Sequence, residues 1–257
     1  MQPSLLTNLT TGRLLSGLAI TALLQCSVNA ALIHLWDFNG NANDSVGSNN
    51  GTVNGTATLV ASGGFDGSGY YSGTGDSGAY VSTGLTYDPD STFSWSVWAR
   101  SKEDADLQSI IVGNRRNASG SDFSPREFAK LTPGSTIFRP SDTANTLGHT
   151  PLAIAGGWTH FAVVNDGSGN VTTYVDGVAT GPATALSGPF TASAFPFSIG
   201  GDASSQGIEF FNGDIDDVRI YDNALTAGEV AALAVPEPSS ALLLGVGGLA
   251  LLRRRRK

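Results

Sequence analysis

The chain has 257 residues, of which 40% are hydrophobic and 14% are charged, and its net charge at pH 7 is −8. Of its 14 basic and 22 acidic residues, six basic and one acidic lie in the two end segments, so the central region keeps 8 basic and 21 acidic residues. This excess of acidic side chains makes nucleic acid and anionic membrane surfaces poor partners, whereas calcium or neutral polysaccharide fits the charge better.

The first 30 residues have the pattern of a secretory signal peptide. Arg13 precedes an apolar core over residues 14–24, and residues 28–30 provide the small side chains expected at a cleavage site. We therefore predict that residues 1–30 are removed on export. The only cysteine, Cys26, lies in this segment, so the mature chain would contain neither a disulfide nor a thiolate site.

Residues 31–234 have the length of one domain and predict an all-β fold. The glycines of the chain, 33 in number, divide it into short segments rich in Val, Ile, Thr and aromatic residues. Many short strands joined by Gly-rich turns predict two antiparallel sheets packed as a sandwich, with long loops over residues 113–150. We predict strands over residues 32–38, 51–60, 79–82, 92–100, 109–112, 127–131, 158–165, 170–176, 195–200 and 213–221.

Three local patterns refine this prediction. In residues 92–100, aromatic side chains fall on both faces by the two-residue period, so we expect both faces to be buried. Residues 166–169 contain two glycines and predict a tight turn between strands. Residues 225–233 predict the one helix of the domain, because Thr226 and Glu229 form a capping box at its start.

A catalytic carboxylate pair is not recognised in this region. Retaining glycosidases need two carboxylates about 5 Å apart, which two acids alternating on one strand face can provide. Asp214 and Asp216 alternate, but Asp217 is expected to point to the opposite face, and His160 is expected to pack within a strand. We therefore predict a non-catalytic protein. The glutamates of the region, none of them in an alternating run, are Glu103, Glu127, Glu209 and Glu229.

Several segments, in the same order along the chain, resemble the LamG-like jelly roll, a concanavalin A-like sandwich. The resemblance covers most of residues 32–233 and implies a two-sheet antiparallel jelly-roll fold with a short C-terminal helix. The segments that carry it are LWDF (35–38), NDSVG (43–47), FSWSVWAR (93–100), GWTHFAVV (157–164), VTTYVDG (171–177), FNGDIDDVRIY (211–221) and ALT (224–226).

The resemblance also implies a structural calcium ion, because many domains of this type hold one near the opening Asp-rich loop and the closing strand. The matching oxygen donors would be Asp37, Asp44, Asp214 and Asp216, completed by loop carbonyls. The alternative is that Asp44 caps a turn and that residues 214–217 line a solvated edge, with Asp217 paired with Arg219. The aromatic residues available for sugar contact, among which the sequence does not choose, are Tyr70, Tyr71, Phe123, Phe128, Phe138, Phe195 and Phe210.

Residues 235–257 form a sorting signal. Pro236-Glu237-Pro238 is followed by an apolar run over residues 241–252 and by five consecutive cations. The segment resembles the PEP-CTERM tails of Gram-negative bacteria, which an exosortase processes. Twelve apolar residues span only ~18 Å as a helix, less than a hydrocarbon core of ~30 Å, so a short transmembrane helix would anchor the chain only transiently.

Together these patterns predict an exported protein of the cell surface or extracellular matrix. It would cross the inner membrane, be processed by an exosortase-type enzyme, and serve as a binding or structural module linked to exopolysaccharide or biofilm matrix. Its further partners would be polysaccharide or matrix proteins and no nucleic acid. Two alternatives are a glycosidase or lyase with an unrecognised acid pair, and a structural coat protein without a ligand.

Overall fold

The computed structural model describes residues 30–86, 92–102, 109–113, 127–132, 135–139, 147–149, 157–185, 196–201 and 209–235. The predicted signal peptide up to residue 29, the motif Pro236, Glu237 and Pro238, and the predicted membrane helix lie outside these residues. Within the described part, no helix is both long enough and apolar enough to cross a membrane.

The described residues form sixteen β-strands and one α-helix. The strands are β1 (Leu32–Trp36), β2 (Thr52–Val53), β3 (Thr58–Val60), β4 (Tyr70–Ser72), β5 (Val81–Ser82), β6 (Phe93–Ser101), β7 (Ser109–Gly113), β8 (Glu127–Thr132), β9 (Ser135–Arg139), β10 (Leu147–His149), β11 (Thr159–Asn165), β12 (Asn170–Val175), β13 (Val178–Ala179), β14 (Thr184–Ala185), β15 (Ser198–Ile199) and β16 (Gly213–Tyr221), and the helix is α1 (Ala227–Leu233).

The strands form two antiparallel sheets. The first sheet has the order β13-β12-β11-β6-β16-β4-β3, with β14 beside β12 and β1 beside the second half of β16. The second sheet has the order β10-β9-β8-β7-β15-β5-β2. Strands adjacent in space are often far apart in sequence, as in the pairing of β6 with β16. The two-sheet jelly-roll sandwich predicted from the sequence is confirmed.

The main core lies between the sheets. Strand β6 contributes alternate side chains to it, including Trp95 and Val97, and β11 contributes Phe161 and Val163. The intervening residues of β6 up to Trp98 are also buried, which confirms the prediction that both faces of this strand are covered. The outer face of the first sheet is therefore partly covered. The candidate site lies on this face and has an open part and a covered part.

Helix α1 covers one end of that outer face. Thr226 is its N-cap, and the capping box predicted with Glu229 is present in both directions. Val230 of the helix packs with Tyr174 and Ala162 of the sheet in a second apolar cluster. A capping box satisfies two backbone N–H groups that a helix start otherwise leaves unpaired, which lets this short helix stay ordered at the surface.

The predicted strand over residues 51–60 is two strands in different sheets. Strand β2 pairs with β5 of the second sheet, and β3 pairs with β4 of the first. Gly55 lies between them at φ +63°, and a Cβ on it would lie 2.6 Å from the carbonyl oxygen of Gly78. The crossing therefore requires glycine for both its backbone conformation and its lack of a side chain.

Candidate functional site

The outer face of the first sheet is arranged in rows of residues that pair across neighbouring strands. Ile215, Val97 and Phe161 point into the main core, so the residues that alternate with them point outward. In the first row Asp214 pairs with Arg100 and Ser72; in the second row Trp98 pairs with His160 and Asp216; in the third row Ser96 pairs with Ala162 and Arg219.

The first row carries a cluster of two aromatic rings and an arginine. The guanidinium of Arg100 lies 4.5 Å from the ring centroid of Trp158 and 5.2 Å from that of Tyr70. The two rings meet edge to face with centroids 5.7 Å apart. Asp214 holds Arg100 at 2.8 Å and Lys102 at 2.9 Å. We call these five residues the aromatic–arginine cluster.

The aromatic–arginine cluster is the open end of the sheet face. The side chain of Asp214 is 5% exposed, that of Arg100 is 23% exposed and that of Lys102 is 39% exposed. Tyr70 and Trp158 are half-buried. The ammonium of Lys102 is already bonded to Ser72, Gly73 and Asp214. The cluster therefore offers apolar ring edges beside the guanidinium of Arg100, which a mostly buried carboxylate holds in position. Apolar surface combined with a few fixed polar groups is the usual composition of a small-ligand site.

The second row is covered by a glycine-rich segment, residues 61–69, which we call the glycine loop. The ring of Phe65 stacks on Trp98 with centroids 4.6 Å apart and planes 12° apart. The backbone N–H of Phe65 donates to Oδ2 of Asp216 at 3.1 Å. The ring of His160 lies 5.2 Å from that of Trp98. The glycine loop thus covers Trp98 and Asp216, with His160 beside them.

Burial dominates the electrostatics of the second row. Asp216 is 1% exposed, and burial, together with the charges of Asp217 and Asp66, raises the pKa of Asp216 to about 8. Burial and the nearby charge of Arg219 lower the pKa of His160 to about 3. The carboxyl group is thus protonated and the imidazole neutral at pH 7, because each sits where its charged form is poorly solvated.

Three polar atoms of this row are left without a hydrogen-bond partner among the described residues. They are both ring nitrogens of His160 and Nε1 of Trp98. His160 is 1% exposed and Trp98 is 5% exposed, so bulk water does not replace the missing partners. Buried polar groups are paired in the large majority of cases, which makes this concentration of unpaired groups unusual.

A β-bulge in β16 changes the predicted direction of Asp217. The pairing register of β16 shifts between Asp216 and Arg219, and Asp217 lies at φ +51°. Ile215 and Val218 both point into the core, so the two residues between them both point outward. The prediction that Asp217 points to the opposite face is therefore wrong. The predicted ion pair is confirmed, since Nε of Arg219 lies 2.8 Å from Asp217.

The four predicted calcium ligands are not brought together. Asp44 accepts hydrogen bonds from His34 and Leu35 of β1 and from the backbone N–H groups of Gly47 and Asn49 in its own loop, which confirms that it caps a turn. Asp214 binds Arg100 and Lys102 in the first row, while Asp216 lies under the glycine loop. The predicted solvated edge over residues 214–217 is wrong, because Asp214, Asp216 and Asp217 are buried. Asp37 accepts from the Asn39 N–H and the Ser45 hydroxyl. Within the described part of the chain, no three His, Cys, Asp or Glu side chains are placed to hold a metal ion.

Sequence reasoning named one aromatic residue of the site and missed the other. Of the predicted sugar contacts, Tyr71, Phe138 and Phe210 are buried and Tyr70 is half-buried. Phe123, Phe195 and the side chain of Phe128 lie outside the described residues. Trp158 and Arg100 were not singled out from the sequence. The predicted strands over residues 92–100 and 158–165 alternate inward and outward, and once Val97 and Phe161 are assigned to the core, both residues fall on the outer face.

The second sheet carries a buried ion pair that the sequence did not indicate. Nζ of Lys130 lies 2.9 Å from both carboxylate oxygens of Glu209. The two residues are 1% and 7% exposed. The bidentate contact satisfies both carboxylate oxygens, as a charge pair removed from water requires. The pair therefore joins β8 to the segment that precedes β16.

The two antiparallel sheets, packed face to face with their core between them, define the chain's class as a jelly-roll sandwich domain. The chain belongs to the concanavalin A-like lectin/glucanases superfamily, which it matches over residues 72–231. Residues 234–257 match the PEP-CTERM protein-sorting motif. That motif implies export, sorting to the cell surface and processing by an exosortase-type system.

Solved structures share the fold at low sequence identity. Domain 4 of AbnA, a GH43 extracellular arabinanase from Geobacillus stearothermophilus, in complex with arabinotriose, is 23% identical with a TM-score of 0.59; the match covers 80% of this chain and 100% of that one. The binding domain of botulinum neurotoxin serotype G is 15% identical with a TM-score of 0.60, over 79% of this chain and 50% of that one.

A Trypanosoma rangeli sialidase in complex with 2,3-difluorosialic acid is 14% identical with a TM-score of 0.61, over 81% of this chain and 33% of that one. This chain therefore spans half or less of the neurotoxin domain and the sialidase, and all of the arabinanase domain. No curated protein matches the chain. Binding domains and glycoside hydrolases thus both share this fold.

Proposed function

We propose that the exported domain is a non-catalytic module that binds neutral polysaccharide at the cell surface or in the extracellular matrix. The aromatic–arginine cluster is the proposed contact surface. The observation that carries the proposal is the half-buried pair of Tyr70 and Trp158 around Arg100, at the open end of the sheet face. In this role the domain would contribute to exopolysaccharide or biofilm matrix.

The chemistry of the cluster matches a saccharide. Aromatic rings pack against the C–H groups of a sugar ring, while the guanidinium of Arg100, which has five N–H donors, can donate hydrogen bonds to its hydroxyl oxygens. Asp214 neutralises part of the cationic charge, and the acidic surplus of the domain disfavours a polyanion. The similar arabinanase domain in complex with arabinotriose makes a short arabinan the first ligand to test.

The surroundings of the acidic residues support a role without catalysis. Asp216 is covered by the glycine loop, and Asp217 is paired with Arg219. One observation favours the alternative of a glycan-active enzyme: Asp216 has a raised pKa beside a second, ion-paired carboxylate, and glycosidases use carboxyl groups whose environments set different pKa values. Sugar release that disappears in Asp216→Asn would support that alternative.

The proposal is tested by titrating the mature domain with arabinotriose in a calorimeter. Trp158→Ala removes a large ring from the cluster and is expected to weaken binding about tenfold or more. Tyr80→Ala is the matched control, because Tyr80 is also a half-buried aromatic residue but packs on Phe210, outside the cluster. Equal binding by Trp158→Ala and wild type would exclude the cluster as the contact surface.

A panel of polysaccharides and matrix fractions extends the test to the remaining alternative. We expect neutral glycans to retain the domain and Trp158→Ala to reduce retention. If the wild-type domain binds none of them, the structural coat protein without a ligand becomes the better description. Reducing-sugar release from any bound glycan would identify an enzyme.

A further inference from the structure

We infer that the second row of the sheet face is a closed saccharide subsite, in which the ring of Phe65 occupies the place of a sugar ring on Trp98. The inference rests on the proposed function, because it extends the aromatic–arginine cluster by one row along the same sheet. Asp214 and Asp216 are alternate residues of β16, so a ligand on the first row lies next to the glycine loop.

The unpaired polar atoms identify the ligand chemistry. A neutral imidazole offers one donor and one acceptor, and the indole Nε1 of Trp98 offers a donor. None of these atoms of His160 and Trp98 has a partner among the described residues. A hydroxyl group both donates and accepts, so a neutral polyol can complete this set. An anion would instead lie near the negative charges of Asp217 and Asp66, which already raise the pKa of Asp216.

The position of Phe65 matches a ring-shaped ligand. Its ring lies nearly parallel to Trp98 at 4.6 Å, the arrangement that a sugar ring adopts on an indole face. Phe65 itself is only half-buried, so the place it occupies is at the surface. Trp98 is 5% exposed under this cover, and displacement of one side chain would expose its ring face.

The tip of the glycine loop is bonded mainly to itself. Gly63 donates to the carbonyl of Gly67 and Gly64 donates to that of Ser68, so the loop closes on itself. Gly63 and Gly67 lie at φ +98° and +90°, where glycine turns at little steric cost. Among the described residues, Phe65 contacts the sheet through its stacking on Trp98 and its N–H bond to Asp216. Displacement of the Phe65 ring therefore has to break the stacking contact, and displacement of its backbone has to break the hydrogen bond.

The test uses calorimetric titration of the mature domain with arabinotriose. Phe65→Ala removes the competing ring and is expected to tighten binding about two- to tenfold, because more of the protein is then open to the ligand. His160→Phe in the Phe65→Ala background keeps the ring volume but removes both nitrogens, and it is expected to abolish this gain. Thermal melting of each variant verifies the fold.

The outcomes separate this inference from the proposed function. If Trp158→Ala weakens binding while Phe65→Ala leaves the affinity unchanged, the closed subsite is refuted and the cluster stands. If Phe65→Ala tightens binding and Trp158→Ala has no effect, the subsite stands without the cluster. If neither the wild type nor Phe65→Ala binds arabinotriose, both are refuted for this sugar.

Amide hydrogen exchange of the wild type keeps the test decisive if Phe65→Ala does not fold. Saturating arabinotriose is expected to speed exchange at the Phe65 amide, because displacement of the loop breaks its bond to Asp216. The amide of Gly69, bonded to Asn39 at the base of the loop, is the control and should not change. Unchanged or slower exchange at Phe65 would overturn the inference.

Discussion

Asp44 and Asp216 are both buried carboxyl groups, yet their surroundings are opposite. Burial raises the pKa of Asp44, but bonds from His34 and three backbone N–H groups outweigh it and hold the pKa below its ordinary value. Burial raises the pKa of Asp216 to about 8. The carboxylate of Asp44 is satisfied by its own loop and by the adjoining strand β1, and it joins the two. Asp216 lies under the glycine loop beside polar atoms that have no partner among the described residues, the arrangement on which the inferred subsite rests.

The largest effect is expected from loss of the satisfied carboxylate. Asp44→Ala leaves the N–H groups of Leu35, Gly47 and Asn49 and the ring of His34 without their acceptor. We expect the free energy of unfolding to fall by about 3–5 kcal/mol in urea titration. Asp37→Ala, which removes an exposed acceptor from the same loop, is the control and should cost about 1 kcal/mol or less. Equal losses of unfolding free energy in Asp44→Ala and Asp37→Ala would show that Asp44 does not organise the loop.

At Asp216 we expect the ionised carboxylate to lower the stability of the fold, whereas that of Asp44 raises it. The pKa of Asp216 is higher in the folded state than in the unfolded state, so its contribution to stability is complete below about pH 4 and is lost as the pH rises through about 8. The lowered pKa of His160 gives a contribution to stability that is lost as the pH falls below about 6.5. Below about pH 6.5 the two contributions change with pH in opposite directions and largely cancel. The loss of stability due to Asp216 is therefore observed between about pH 6.5 and 8.

Asp216→Asn, which is neutral at every pH, should remove this decline. The wild type is expected to lose about 1 kcal/mol per pH unit across that interval, whereas the variant stays nearly constant and is the more stable protein at pH 8. Urea unfolding at a series of pH values measures both. Asp222→Asn, at an exposed carboxylate, controls for the change in net charge. Parallel curves for wild type and Asp216→Asn would show that Asp216 is ionised throughout.

The smallest effect concerns calcium, which the family resemblance predicts. Asp44 is paired with His34, Asp214 with Arg100 and Asp217 with Arg219, so calcium would have to displace these partners to bind. Millimolar calcium is therefore expected to change the melting temperature by about 1 °C or less. Thermal melting of the same sample in calcium and in EDTA measures the difference. A rise of several degrees in calcium would contradict this prediction and support the metal site that the resemblance implies.

Much of the fold was predictable because its signals are local. The alternation in residues 92–100, the turn at residues 166–169 and the capping box of Thr226 with Glu229 each depend on neighbours within a few positions, and each is present. The division of residues 51–60 between two sheets was not predictable. It depends on Gly55 passing against the backbone of Gly78, a contact between segments that no local pattern records.

The candidate site was less predictable from the sequence than the fold was. Tyr70 was one of several aromatic residues that could reach the surface, and only the sheet register placed it beside Trp158 and Arg100. The direction of Asp217 was predicted wrongly because strict alternation was assumed. A bulge at φ +51° adds one residue to β16 and turns both central acids to the same face.

By itself, the sequence determined the sorting tail and the jelly-roll class, because both depend on the order and spacing of residue types along the chain. The tertiary structure alone decided which polar groups are satisfied. Asp44 and Asp216 are the same residue type, and the sequence assigned them the same role. The side chain that bonds Asp44 lies 10 positions away, whereas the residue that covers Asp216 lies 151 positions away, so only the folded arrangement separates a loop-organising carboxylate from one that lies in a candidate binding site.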